Sequence, residues 1–97
     1  MTAYVIARIA VTDPDRYEDY KALAQEAIAA HGGRYLVRGG DVQTLEGQAE
    51  SRRVVVLEFP TMESAEKFYR SAEYEAAKEA RRGAAELQLI LVEGYAG

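Results

Sequence analysis

Four β-branched or aromatic runs alternate with helical stretches in this chain, and their order is the feature that most limits its fold. Residues 3 to 11, Ala-Tyr-Val-Ile-Ala-Arg-Ile-Ala-Val, read as a strand. Thr12-Asp13-Pro14 ends it: Pro14 suits the first turn of a helix, and Thr12 or Asp13 can cap it. Tyr17, Tyr20, Ala24, Ala27, Ile28 and His31 then recur in steps of three and four, one face of a helix that Gly32-Gly33 stops. Tyr35 to Arg38 predicts a short strand, and the polar stretch from Gly39 to Arg52 a long loop. The valine run from Arg53 to Phe59 predicts a third strand, closed by Pro60, which has no N–H to give to a sheet. Thr61 can cap a second helix striped by Ala65, Phe68, Tyr69 and Ala72. Ser71 can start a further helical segment through Tyr74, Ala77 and Arg81 that Gly83 ends, before Leu87 to Glu93 forms a last strand.

The order β-α-β-β-α-β, with right-handed crossovers, is the split βαβ, ferredoxin-like arrangement. An α+β domain spanning 1–97 is expected, its four-stranded antiparallel sheet carrying the helices on one face. Strand alternation then sorts the side chains. Val5, Ala7, Ile9 and Val11, with Val55, Leu57, Phe59 and Leu87, Leu89, Leu91, suit the helices. Tyr4, Ile6, Val54, Val56, Ile90 and Val92 fall on the other face, which is too apolar to be left to water. A second copy, related by a two-fold axis, is the economical cover, giving a homodimer that closes two half-barrels around a shared interior.

On that arrangement Arg8, Arg38, Glu58 and Gln88 point inward, where charges must pair or bind something. Two readings follow. Arg8, Arg38 and Glu58 neutralise one another, or two guanidinium groups line a small cavity that takes a carboxylate or another planar anion through paired donors. Tyr35, beside the Gly39-Gly40 turn, is placed at the mouth of such a pocket. Tyr17, Tyr20, Tyr69 and Tyr74 are expected to pack between helix and sheet with their hydroxyls at the rim.

Charge and composition exclude other chemistries. Twelve Lys plus Arg against sixteen Asp plus Glu give a net charge of −4, which disfavours nucleic acid. The absence of cysteine removes disulfide and thiolate chemistry, and a single histidine leaves no zinc cluster, so no metal and no cofactor are expected. Neither a signal-like start nor a long uninterrupted apolar run is present, so the expectation is a cytoplasmic protein without a membrane partner. No P-loop, dinucleotide fingerprint or nucleophile elbow occurs. His31, at a helix end before Gly32-Gly33, reads either as a cap for the last carbonyls or as a general base without a visible partner.

The run His31-Gly32-Gly33-Arg34-Tyr35-Leu36-Val37-Arg38-Gly39-Gly40 continues with Glu46-Gly47, Val55-Val56-Leu57-Glu58-Phe59-Pro60, Phe68-Tyr69, Ser71, Glu73-Tyr74 and Arg81. This pattern resembles the uncharacterised family called domain of unknown function 1330, over nearly the whole chain. Thr61 and Ala72 stand where serine and proline are usual. The resemblance implies a dimeric α/β-barrel protein, a group that includes small cofactor-free oxygenases and muconolactone-isomerase-like proteins, and hence a homodimer. It implies no reaction. Arg38 and Glu58 are its motif members that strand alternation also selects, while Tyr35, Tyr74 and Arg81 are members without a role.

Two function classes follow. One is a barrel that binds a small anionic or aromatic metabolite between its sheet and its partner. The other is a cofactor-independent oxygenase or isomerase, in which Glu58 or His31 removes a proton beside an arginine.

Overall fold

A computed structural model describes residues 1–96, so the last residue of the expected 1–97 domain lies outside the described residues. Its elements are β1 (Ala3–Val11), α1 (Pro14–Ala30), β2 (Arg34–Arg38), β3 (Arg53–Phe59), α2 (Met62–Arg70), α3 (Ala72–Ala80) and β4 (Ala85–Glu93). The strands form one antiparallel sheet in the order β2-β3-β1-β4, the ferredoxin-like α+β topology that the order of segments implies. β4 begins two residues before its expected start, because Val11 and Ala10 pair with Ala85 and Glu86. The sheet stays open, with β2 and β4 as edges. The expected barrel is therefore not closed within one chain, whose four strands leave two unpaired edges.

Local chemistry sets the helix boundaries. Asp13 accepts from the Arg16 N–H at 3.3 Å, and Pro14 follows in the first turn. Thr61 and Ser64 satisfy each other's backbone N–H groups at 3.0 and 3.2 Å. Ser71 separates α2 from α3 by serving both: its hydroxyl donates to the Phe68 carbonyl at 2.7 Å and accepts from the Tyr74 N–H at 3.1 Å. Gly33 allows the chain leaving α1 to cross the core, since a Cβ there would stand 2.5 Å from Phe59 Cε1 and 2.9 Å from Ile28 Cγ2.

The helices cover the face predicted for them. Ala3, Val5, Ala7, Ile9, Val55, Leu57 and Phe59 are buried against Tyr20, Ala24, Ile28, Phe68, Tyr74 and their neighbours. On the bare face Ile90 and Val92 remain 43% and 42% exposed, beside half-buried Ile6, Val54 and Val56. No helix among the described residues is long and apolar enough to cross a membrane.

β2 departs from simple alternation. Its register runs Arg34↔Glu58 and Tyr35↔Leu57, then skips to Val37↔Val56 and Arg38↔Val55, a bulge at Leu36. The extra residue reverses the parity of everything after it. Arg38 consequently sits opposite Val55 on the helix-covered face, not inward with Arg8 and Glu58 on the bare one.

Candidate functional site

The charges of the bare face form two separate groups. Arg8 lies opposite Val54 and Glu58 opposite Tyr4, four residues apart on β3, or about 13 Å at ~3.3 Å per residue. Arg8 and Glu58 therefore do not neutralise each other. Glu58 accepts from Arg34 Nε at 2.7 Å, and Arg8 reaches Glu50 at 3.5 Å. Glu50 also accepts from Arg52 Nε at 2.9 Å, Arg52 Nη2 at 3.0 Å and the Arg52 backbone N–H at 3.0 Å. Nothing local in the sequence pairs Arg34 with Glu58 or Glu50 with Arg8: one follows a glycine pair, and the other lies in a polar loop whose path only the fold decides. Arg8, Ala10, Gln48, Glu50 and Arg52 surround a depression of about 470 Å³ beneath that loop.

The Arg52 side chain, then its backbone N–H, hold the Glu50 carboxyl down at about 2, well below the usual carboxylate range. A carboxyl depressed in the folded state stabilises above its ordinary pKa, and that contribution fades as pH falls from near 4.5 towards 2. Glu50→Gln should release the end of the loop at neutral pH, with cleavage by a broad-specificity protease several-fold faster between residues 46 and 52. Wild-type and variant cleavage rates should converge as pH approaches 2, read with pepsin. Equal rates at pH 7 would show that Glu50 does not anchor the loop.

A second cleft, about 290 Å³, opens on the helix-covered face between α2 and β4. It exists because α2 and α3 leave the outer edge of the sheet incompletely covered, so Leu87, Leu89 and Leu91 are only half-buried. These leucines with Val5 and Phe68 make its apolar wall, and Glu66, Tyr69, Arg70 and Arg81 supply its polar groups. Arg81 is held from behind. Its Nη1 donates to the Tyr74 hydroxyl at 3.2 Å, and that hydroxyl lies 2.8 Å from the Tyr20 hydroxyl. Burial, reinforced by the neighbouring Tyr74, pushes the Tyr20 phenol far above its ordinary pKa.

The structure thus reorders the sequence candidates. Tyr69 and Arg81 line the cleft, and Tyr74 orients Arg81 from behind. Tyr35 and Arg38 lie together elsewhere, the Arg38 guanidinium 4.4 Å above the Tyr35 ring. His31 caps α1 through its backbone N–H, yet its imidazole turns to Glu73 of α3 at 3.6 Å instead of the last carbonyls. Neither His31 nor Glu58 lines this cleft. Glu66 and Arg70 were missed because, one turn apart on α2, they look like any solvated pair. No group of three or more His, Asp or Glu that could hold a metal occurs among the described residues.

Several solved structures share this fold. A protein of unknown function from Rhodopseudomonas palustris superposes with a TM-score of 0.74 at 18% identity, covering 99% of this chain and 84% of that one. A dimeric ferredoxin-like protein of unknown function from Jannaschia sp. gives 0.70 at 11% identity, covering 97% and 100%. SnoaB, a cofactor-independent oxygenase from Streptomyces nogalater, gives 0.63 at 14% identity, covering 99% and 95%. At these identities the likeness is one of fold. No curated protein matches the chain. The family pattern is specific where these are not, for it matches residues 2–95, which span every element described above, and the chain belongs to the family described as domain of unknown function (DUF1330).

Proposed function

We propose that the protein is a homodimer, paired through the bare face of its sheet, whose helix-side cleft binds a small aromatic metabolite carrying an acidic group. The observation behind this reading is a fixed guanidinium, Arg81, at an otherwise largely apolar cleft of about 290 Å³. That volume is near the lower end of the range for small-molecule sites and suits a one- or two-ring compound. Arginine offers a carboxylate two parallel donors, and the tyrosine pair orients it beforehand. This site lies between sheet and helices, apart from the cavity between sheet and partner that strand alternation suggests.

The fold shared with SnoaB supports a second reading, in which a bound substrate is transformed without a cofactor. Glu66 is the carboxylate lining the cleft and would take the proton, with Arg81 stabilising the enolate that results.

Calorimetric titration with 4-hydroxybenzoate tests the binding reading. Saturable binding is expected in the wild type, weakened ten-fold or more by Arg81→Gln, about 1.5 to 3 kcal/mol for a lost charged hydrogen bond. Leu89→Trp should abolish it by filling the apolar wall. Binding that survives both variants unchanged, in a protein whose native mass spectrum carries no retained molecule, would sink the proposal. Turnover lost in Glu66→Gln at unchanged affinity would favour the enzyme.

A further inference from the structure

The bulge that turns Arg38 onto the helix-covered face also brings it beside Arg53. Arg53 opens β3 on the same side as Val55 and Leu57, and Arg38 sits opposite Val55. The two arginines are thus diagonal neighbours, with Cα atoms about 7 to 8 Å apart. Neither has a carboxylate within ion-pairing distance among the described residues, although the chain carries a net charge of −4. Lys21, on the facing helix, already pairs with Glu18 at 3.0 Å.

The surroundings hold Arg53 in this place at a cost. Its Nε is buried without a hydrogen-bond partner, an arrangement that loses solvation and gains nothing in return. Its guanidinium lies over Gly39, where φ is +74° and an added Cβ would collide with it. The ring of Tyr17 lies 6.0 Å from the Arg53 guanidinium, and that of Tyr35 lies 4.4 Å below Arg38. Burial raises the Tyr17 phenol while Arg53 opposes that rise, which is consistent with the guanidinium facing the hydroxyl. Both tyrosines and both arginines line one cavity of about 30 Å³ between α1 and the β2–β3 end of the sheet.

We propose that Arg38 and Arg53, with the Tyr17 and Tyr35 hydroxyls, form a binding site for the oxyanion of a small molecule, a carboxylate or a phosphate group. Two adjacent guanidinium groups without an acid repel each other until an anion accepts from both. The cavity has room for about one water-sized atom, so it admits an oxygen of the ligand and leaves the ligand's body in solvent. The site does not depend on the α2–β4 cleft, which shares neither arginine nor either tyrosine with it.

Titration with inorganic phosphate and, separately, with malonate, at ionic strength held constant with sodium chloride, separates the two sources of the anion. Shifts at the Leu87 and Leu89 amides would instead report an anion at Arg81 in the α2–β4 cleft, so the amides that move tell the two sites apart. Saturable chemical-shift changes are expected at the Gly39, Arg53 and Val54 amides with at least one of the two anions. Arg38→Gln and Arg53→Gln should each weaken binding ten-fold or more, and Arg38→Lys, which keeps charge but loses the fork, several-fold. Arg82→Gln, which removes a surface cation paired with Glu79 at 2.9 Å, should leave it unchanged. Shifts that stay linear with both anions, or equal affinity in wild type and Arg53→Gln, would overturn the site. So would dissociation of a dimer by Arg53→Gln with no anion bound by the wild type, which assigns the guanidinium groups to a carboxylate of a second copy.

Discussion

Val56→Asp should leave a folded protein whose mass by light scattering is that of a single 10.7 kDa chain. Val56 pairs with Ile6 in the register, and Ile6 with Ile90, so the three make a row across the centre of the bare face. Because the side chain points away from the core beneath the helices, aspartate there is solvated in the free chain and costs the fold little. Against a second sheet it becomes a buried, unpaired charge, with a penalty of several kcal/mol, about 3 to 5 where such charges have been left without partners. Dimer affinity should fall by at least two orders of magnitude. Wild-type mass already equal to one chain, or an unchanged dimer in the variant, would show that the bare face is not the interface. Circular dichroism separates these outcomes from unfolding.

Phe68→Ala should have the largest effect on stability, a loss of about 3 to 5 kcal/mol, a large share of what a domain this small possesses. Phe68 is 1% exposed. Its ring centre lies 4.6 Å from that of Tyr74 and 5.0 Å from that of Phe59. It also lines both the α2–β4 cleft and the small cavity under β2, so its removal should join them. The variant should then be restored in part by an apolar guest: benzene or indole should raise its melting temperature by more than it raises that of the wild type. Destabilisation below 1 kcal/mol, or no response to either compound, would mean that the site collapses and the two spaces are not continuous.

Element order and the sorting of β1, β3 and β4 into two faces were legible from residues 3 to 93, because each depends on neighbours in sequence. Pro14, Thr61 and Ser71 act within a single turn, and alternation along an unbroken strand needs only the strand itself. The apolar bare face belongs to the same class of inference, since Ile6, Val56 and Ile90 meet in the register as alternation requires.

The candidate sites were different. One unpaired residue at Leu36 moved Arg38 to the opposite face, and no local rule places a bulge on a five-residue strand. The partners of Arg8 and Glu58 are Glu50 and Arg34, one separated by 42 positions and the other by 24. Arg81 gains its orientation from Tyr74 within its own helical segment, but the second hydroxyl, Tyr20, comes from 54 positions away in α1. Sequence by itself determined what each segment becomes and which face of it is apolar, because those follow from periodicity and caps acting over a few residues. Which charges meet, and where a cleft is left open, only the tertiary structure decided, because those depend on a register shift and on how far two helices reach across a sheet.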